Sequence, residues 1–500
     1  MTVRPLLAVV LALVAGLLSA AAFDPFSAPY AMVVGVAVLI VALRGLAAAR
    51  VRWVLVTGAV YGLAFMAVLI WWMNAVSAAA YVSLVLAQVV IFALVAVPLR
   101  AALRLRWWPL WAGAVWVAGE WFRSSYPFSG FPWGRLGHTA VDTPFDAWVR
   151  VGGMPWLSFV MFLLAASLVV LVGGRLLHRA LAAGTVVALL LVGAVLPAGV
   201  VGQHGTAQVA LVQGDVPGVF LTWPRGEITS LHLAETRRLA NDVTAGRVPA
   251  PDVVLWPEGA VDVDPYANPS VGAQLSAMSE RVGAPLVVGG IFDGPTADTA
   301  YNESVVWDAD GPGDRYVKRK LVPYGEYVPF RQALGDRAPQ VARMSRDVPR
   351  DMLAGDSSVP LRIGSLTIGG SICWDLAYDD IVRDAASADA DVLGGQTSNA
   401  AFTGTAQPEQ QWKISRLRAL ETGRWMLVPS TNGISGVADA RGEVVERAPL
   451  HEPATISVEV PLASGLTPAL TVGPWVQWAL VGLGALGWFL GWRAGRRGRP

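Results

Sequence analysis

The sequence predicts a two-part molecule, a polytopic α-helical membrane region of about eight spans joined to an α/β domain. Three observations point there. The chain is 54% hydrophobic and only 15% charged over 500 residues, too apolar for an ordinary soluble protein, where about 25% charge is usual. Apolar runs near the roughly 20 residues that a helix needs to cross a bilayer recur along the N-terminal two fifths and once more near the C-terminus. From Thr206 to about 460, the pattern changes to short β-branched runs interleaved with helical stretches, the signature of an α/β domain.

The apolar runs fall at 5–22, 30–48, 53–73, 80–99, 107–122, 155–173, 180–200 and 474–492. The first has Arg4 ahead of it and a small-residue stretch behind, as in a secretory signal, but close-spaced spans follow and it reads as an uncleaved span. Arginine sets the orientation. Arg4, Arg44, Arg50, Arg52, Arg100, Arg104, Arg106, Arg175, Arg179, Arg493, Arg496, Arg497 and Arg499 all fall on one side, whereas Arg123, Arg135 and Arg150 fall on the other. Positive residues stay in the cytoplasm, so both termini are expected inside and the α/β block outside. The domains are then 1–201 (seven spans), 202–470 (extracytoplasmic) and 471–500 (a last span and a basic tail).

Many of the 21 tryptophans, among them Trp71, Trp72, Trp107, Trp108, Trp475 and Trp478, lie near span ends, as in an interfacial aromatic belt. Glu120 and Arg123 stand three apart near the end of the fifth span, ahead of Ser-Gly-Phe-Pro-Trp-Gly at 129–134. An ionisable pair at that depth reads as a structural i,i+3 ion pair. The net charge of +1 gives no reason to invoke nucleic acid. The five histidines (His138, His178, His204, His232, His451) form no ligand-spaced cluster, so neither a metal nor a cofactor is expected.

Within the α/β block, strands are expected at 207–212, 253–256, 286–290, 302–308, 366–373, 391–394, 425–429, 434–439 and 455–460, with helices at 227–243, 270–282, 377–388 and 408–424. Such domains place chemistry at the carboxyl ends of strands, and three candidate ends carry reactive side chains. Val-Val-Leu-Trp-Pro-Glu ends in Glu258, whose carboxylate burial can tune into a general base. Tyr-Val-Lys-Arg-Lys-Leu-Val-Pro-Tyr-Gly-Glu (316–326) offers Lys318 and Glu326. Only three lysines occur among 38 basic residues, so a lysine here needs a reason. Leu-Thr-Ile-Gly-Gly-Ser-Ile-Cys ends in Cys373, the only cysteine, which can form no intramolecular disulfide.

A thiol of ordinary pKa near 8.5 is mostly protonated at neutral pH and needs help to become a nucleophile. No histidine lies in these motifs. A glutamate can take the proton instead, with a lysine stabilising the thiolate and the tetrahedral oxyanion.

Trp-Pro-Glu, then Tyr-x-Lys-x-x-Leu-Val-Pro-Tyr-Gly-Glu-Tyr, then a strand ending in Cys, in that order, resemble the Glu-Lys-Cys triad of the nitrilase (carbon-nitrogen hydrolase) superfamily. The flanking spans, Gly130-Phe-Pro-Trp133, Leu-Val-Gln-Gly-Asp-Val-Pro (211–217), Thr397-Ser-Asn399 and Arg418-Ala-Leu-Glu421-Thr-Gly-Arg424 resemble its membrane branch, apolipoprotein N-acyltransferase. The resemblance covers nearly the whole chain. It implies an αββα sandwich on the outer face of a bacterial cytoplasmic membrane, with Glu258 as base, Lys318 as oxyanion-stabilising cation and Cys373 as acyl-carrying nucleophile. Glu326 would support the lysine and the substrate amine, Trp223 would gate the site, and Trp374, Asp375 and Asn399 would bind substrate or support the site. Asp375 stands where the family pattern has a glutamate, and Gly259 where it has a small hydroxyl or similar residue. The implied reaction moves an acyl chain from a phospholipid, through a cysteine thioester, to the α-amine of a diacylglyceryl-cysteine on an apolipoprotein, with the enzyme a monomer and 328–352 a mobile arm over the entrance. Two alternatives remain from the residues alone: a membrane-tethered amidase with the same triad, and a transporter or lipid-binding protein with an inactive outer domain.

Overall fold

The computed structural model describes residues 5–216, 223–334, 345–346 and 348–497. The chain divides into two compact units, Met1–Pro197 with Thr467–Pro500, and Ala198–Leu466.

In the first unit, every expected apolar stretch contains a helix: α1 (Pro5–Ala21), α2 (Pro29–Gly45), α3 (Val51–Leu69), α4 (Ala78–Ala102), α5 (Trp108–Ser125), α6 (Val149–Gly173), α7 (Leu176–Val195) and a C-terminal helix (Pro468–Arg497). Five of them, α3, α4, α6, α7 and the C-terminal helix, are long and apolar enough to cross a membrane. The helices α1 and α2 have 17 residues each, which at 1.5 Å per residue reaches about 26 Å, short of a hydrocarbon core of roughly 30 Å. Helix α5 carries Glu120 and Arg123 in its 18 residues.

Small residues let these helices approach closely. A Cβ at Gly58 on α3 would lie 2.5 Å from the Phe92 carbonyl of α4, and one at Gly16 on α1 would lie 2.6 Å from the Tyr61 carbonyl of α3. Helix α6 breaks at Gly152 and Gly153, where Gly153 takes φ +74°. The expected span began just past that break.

The expected Glu120–Arg123 pair is replaced by a longer-range one. Glu120 pairs with Arg135 at 3.7 Å and accepts from the Trp116 indole at 2.9 Å and the Leu136 amide at 2.7 Å. Arg123 donates to the Phe131 and Trp133 carbonyls at 2.9 and 2.5 Å. The two buried side chains thus supply partners to the backbone of the Gly130–Leu136 loop, groups that would otherwise be costly to bury.

The second unit is a four-layer αββα sandwich. One sheet contains β1 (Gln203–Gln213), β2 (Val253–Leu255), β3 (Leu286–Asp293), β4 (Thr299–Asp308), β5 (Gly311–Val317), β6 (Asp351–Met352) and the last strand, Ala454–Ala463, which pairs antiparallel with β1. The other contains β7 (Leu361–Ile363), β8 (Leu366–Ile372), β9 (Val392–Gln396), β10 (Met426–Val428), β11 (Gly436–Ala438) and β12 (Val444–Arg447). Strand periodicity sorts the layers. Val209, Leu211, Val253 and Leu255 face inward and meet Ile368, Ile372, Val392 and Leu427 of the other sheet. Their neighbours Ala210, Val212 and Val254 face outward onto Leu233 and Leu239 of α8 (Glu227–Thr244) and Leu275 and Met278 of α9 (Pro269–Val282). Leu393 and Met426 likewise meet Val382 of α10 (Asp379–Ser387) and Trp412 and Ala419 of α11 (Gln407–Thr422).

The sequence reading missed β5, the two-residue β6, β7 and β12. Strand β5, Gly-Pro-Gly-Asp-Arg-Tyr-Val, has no apolar alternation and buries only Tyr316. Pairing with β4, from Glu303↔Val317 to Asp308↔Gly311 with a register shift between Val305 and Trp307, makes it a strand. Of the expected arm 328–352, residues 335–344 and 347 lie outside the described residues. On the described flanks Arg331 pairs with Asp351 at 2.8 Å.

Candidate active site

β1, β2 and β3 run parallel to one another, as do β8, β9 and β10, and β5 shares the direction of β3 because it is antiparallel to β4, which is antiparallel to β3. The segments after β2, β5, β8 and β9 therefore leave along common strand directions, and each carries a candidate side chain.

After β2, the fully buried Trp256 anchors the turn. Its indole donates to the Thr236 hydroxyl at 2.9 Å, and its carbonyl accepts from Gln396 at 2.6 Å. Two residues on, Glu258 Oε1 accepts from Asn302 Nδ2 at 2.8 Å and from Lys318 Nζ at 3.4 Å, while Oε2 accepts from the Ser398 amide at 3.1 Å. After β5, Lys318 is 2% exposed. Its amide donates to the Asn302 carbonyl at 2.9 Å and its ammonium to Glu326 Oε1 at 2.8 Å. The other Glu326 oxygen accepts from the Val322 amide at 2.7 Å. Glu326 thus closes the 318–326 loop on its own lysine.

After β8, Cys373 opens a 3-10 turn (Cys373–Ala377) with φ +50°, a left-handed conformation uncommon for non-glycine residues. The residue keeps part of its surface exposed. Asp375, fully buried, accepts from the Tyr316 hydroxyl and the Lys320 amide, both at 2.8 Å, and from the Ile372 amide at 3.3 Å. One carboxylate therefore ties the lysine segment to the cysteine turn, with no surface of its own exposed. After β9, Asn399 (φ +54°) donates to Gln407 and Gln411, and Gln411 donates to the Cys373 carbonyl at 3.0 Å.

Of the other expected residues, Trp374 is half-buried, with its indole donating to the Tyr378 hydroxyl at 2.9 Å. Trp223 is half-buried just ahead of α8; residues 217–222 before it lie outside the described residues. Sequence reasoning missed Asn302, which bridges Glu258 and Glu326 with one amide nitrogen, as well as Tyr316 and Gln411. The only signals were polar residues in buried settings, an asparagine inside a strand and the i,i+4 pair Gln407 and Gln411.

The electrostatics are one-sided. Burial alone would lower the Lys318 pKa, but Glu326 and Glu258 more than reverse this and hold it well above the ordinary value. Burial, then the Glu258 charge, pushes the Cys373 thiol up, against a downward pull from Lys318. Burial raises Asp375 to about 6, with Lys318 and the Tyr316 hydroxyl pulling the other way. The cluster thus favours the charged form of Lys318 and disfavours ionisation of the Cys373 thiol. Moving the thiol proton to a neighbouring carboxylate would leave the net charge of the cluster unchanged. Among the described residues, no group of three or more His, Cys, Asp and Glu could hold a metal ion. A cavity of about 500 Å³ lined by Asp264, Phe292, Glu303 and Arg315, among others, contains none of these site residues.

Comparison with known proteins agrees with this architecture. Residues 15–167 match the apolipoprotein N-acyltransferase N-terminal domain and residues 208–465 the carbon-nitrogen hydrolase domain. The chain is 33% identical over 451 residues to an apolipoprotein N-acyltransferase of Mycolicibacterium smegmatis, covering 85% of this chain and 75% of the relative. It is 32% identical over 404 residues to one of Azotobacter vinelandii, covering 77% and 72%. Among solved structures, Saccharomyces cerevisiae Nit3, a member of branch 10 of the nitrilase superfamily, aligns with 52% of this chain and 91% of its own at 19% identity and a TM-score of 0.38, a likeness too slight to argue from.

Proposed function

The chain belongs to the apolipoprotein N-acyltransferase family, and from that premise we propose that Cys373 carries an acyl chain as a thioester between a membrane phospholipid and the α-amine of a diacylglyceryl-cysteine at the start of an apolipoprotein. The observation that carries the reading is the buried Lys318 ammonium shared by Glu258 and Glu326, with the charges of all three acting on a single thiol at a strained turn.

In the first half-reaction, Glu258 takes the Sγ proton as sulfur attacks the ester carbonyl. Lys318 faces the tetrahedral oxyanion, whose stabilisation by a preorganised donor is commonly worth about 10²–10³ in rate. The ester C–O bond then breaks, the proton passes from Glu258 to the departing alkoxide, and a lysophospholipid leaves. In the second, the amine attacks the thioester carbonyl, Glu258 takes a proton from the amine nitrogen, and the C–S bond breaks. The proton returns to sulfur and an amide remains. Glu326 keeps Lys318 charged throughout, and Trp223 gates the entrance.

Both substrates are lipid-anchored, which gives the membrane unit its purpose. The arginine asymmetry supports eight spans with the catalytic domain, 202–470, facing the outside of a bacterial cytoplasmic membrane, and the enzyme acts as a monomer in this reading. The test is to incubate the purified full-length chain with an acyl-labelled phospholipid and a diacylated lipopeptide. N-acylated peptide is the expected product, and labelled free fatty acid without acylated peptide would make the chain a hydrolase instead.

A further inference from the structure

The residues assigned to chemistry reach Cys373 from the loops after β2 and β5. A different element, α11, bears on it through a chain of amides. Gln411 donates from Nε2 to the Cys373 carbonyl at 3.0 Å, and the same nitrogen lies 3.9 Å from Sγ. Its Oε1 accepts from Asn399 Nδ2 at 2.8 Å and from Gln407 Nε2 at 3.1 Å. Asn399 also donates to Gln407 Oε1 at 2.8 Å, and its own Oδ1 accepts from the Thr397 and Ser430 hydroxyls at 3.0 and 3.1 Å. All five of these polar residues are buried.

The chain has only one workable polarity. A backbone carbonyl can accept but never donate. A flipped Gln411 amide would set oxygen against the Cys373 oxygen and NH₂ against the Asn399 and Gln407 donors. Gln411 is therefore held with its NH₂ toward the cysteine, one hydrogen on the carbonyl and the other free to face sulfur. A neutral thiol gains little from a donor at that range, whereas a thiolate gains a charge-assisted bond.

Resting on the acyl-transfer reading above, we propose that Gln411 is a positioning residue for the nucleophile: it pins the left-handed Cys373 through its carbonyl and offers its second N–H to the thiolate as Glu258 removes the proton. Asn399 and Gln407 serve to hold that amide one way round. The competing account is that the amide chain only shapes the turn, and the two differ in what they do to the thiol's ionisation.

Cys373 is the only cysteine in the chain, so alkylation of the detergent-solubilised full-length protein by iodoacetamide reports on that thiol alone and needs no acyl donor. Gln411→Met, of similar size without a donor, and Gln411→Glu, of the same shape with a repelling charge, should each move the pH profile of alkylation to the alkaline side. The rate at pH 8 should fall about tenfold, the size expected for losing one hydrogen bond to a charged group. Folded variants that alkylate with the wild-type pH profile would overturn the proposal. So would failure of both variants and of Asn399→Ser to fold, since the amide chain would then be structural. A chain whose alkylation shifts as described yet never transfers an acyl group would contradict the acyltransferase reading and leave the role of Gln411 standing.

Discussion

The Lys318 ammonium lies 2.8 Å from Glu326 Oε1 at 2% exposure, the shorter of the two carboxylate contacts that keep it charged. Breaking a buried pair from one side costs about 3–5 kcal/mol when the remaining charge is left unpaired; here Glu258 stays 3.4 Å from the ammonium, so the cost falls below that range. Glu326→Gln should therefore lower the melting temperature and reduce acyl transfer by about 10² or more, given that one preorganised donor is worth that much. A variant that melts and turns over like the wild type would show that Glu258 alone holds the lysine.

Asn302 gives Nδ2 to both Glu258 and Glu326, at 2.8 and 3.2 Å. Asn302→Asp keeps the shape but replaces that donor with a third carboxylate beside two others. Acyl transfer should fall at neutral pH and recover in part as the pH is lowered and the new carboxyl is protonated. A flat ratio to wild type between pH 5 and 8 would argue against like-charge repulsion as the cause.

Burial raises Asp375 from 3.8 to about 6. Between those values the folded state holds a proton that the unfolded state has released, so stability from this group is fully present below about pH 4 and is lost as the pH rises to about 6. At about 1.4 kcal/mol per pKa unit, the loss is on the order of 3 kcal/mol. Thermal unfolding of wild type and Asp375→Asn across that window checks it. Wild type should lose ground relative to the variant as the pH rises, and a constant difference would mean that Asp375 titrates normally.

Cys373 sits at φ +50°, where a side chain costs about 1–2 kcal/mol and glycine nothing comparable. Cys373→Gly and Cys373→Ala should both be inactive, but the glycine variant should unfold at a higher temperature than the alanine variant. Equal melting points would mean that the turn relaxes without its thiol.

What the sequence made legible was local. A buried strand leading to Glu258, a rare lysine eight residues before Glu326 and the only cysteine at the end of Leu-Thr-Ile-Gly-Gly-Ser-Ile can each be seen without knowing what they face. What stayed hidden depends on long-range packing. Asn302 enters the cluster through the β3–β4–β5 register, and Gln411 meets Cys373 because α11 packs beside the turn after β8. Asp375 reads as a substrate-binding or supporting residue, and its Tyr316 partner stays hidden because it arrives from β5, a strand whose Gly-Pro-Gly start conceals it. Glu120 is the same lesson in the membrane unit. Its nearest cation in sequence is Arg123, but the loop folds back and brings Arg135.

The central claim is that an acyl chain resides on Cys373. Intact-mass spectrometry of the full-length chain after exposure to phospholipid, with no lipopeptide present, tests it most directly. A mass increase of one acyl group on Cys373 is expected, one that disappears on adding a diacylated lipopeptide and never forms on Cys373→Ala. An unmodified chain in a mixture that nevertheless yields N-acylated peptide, or an adduct that persists on Cys373→Ala, would contradict it.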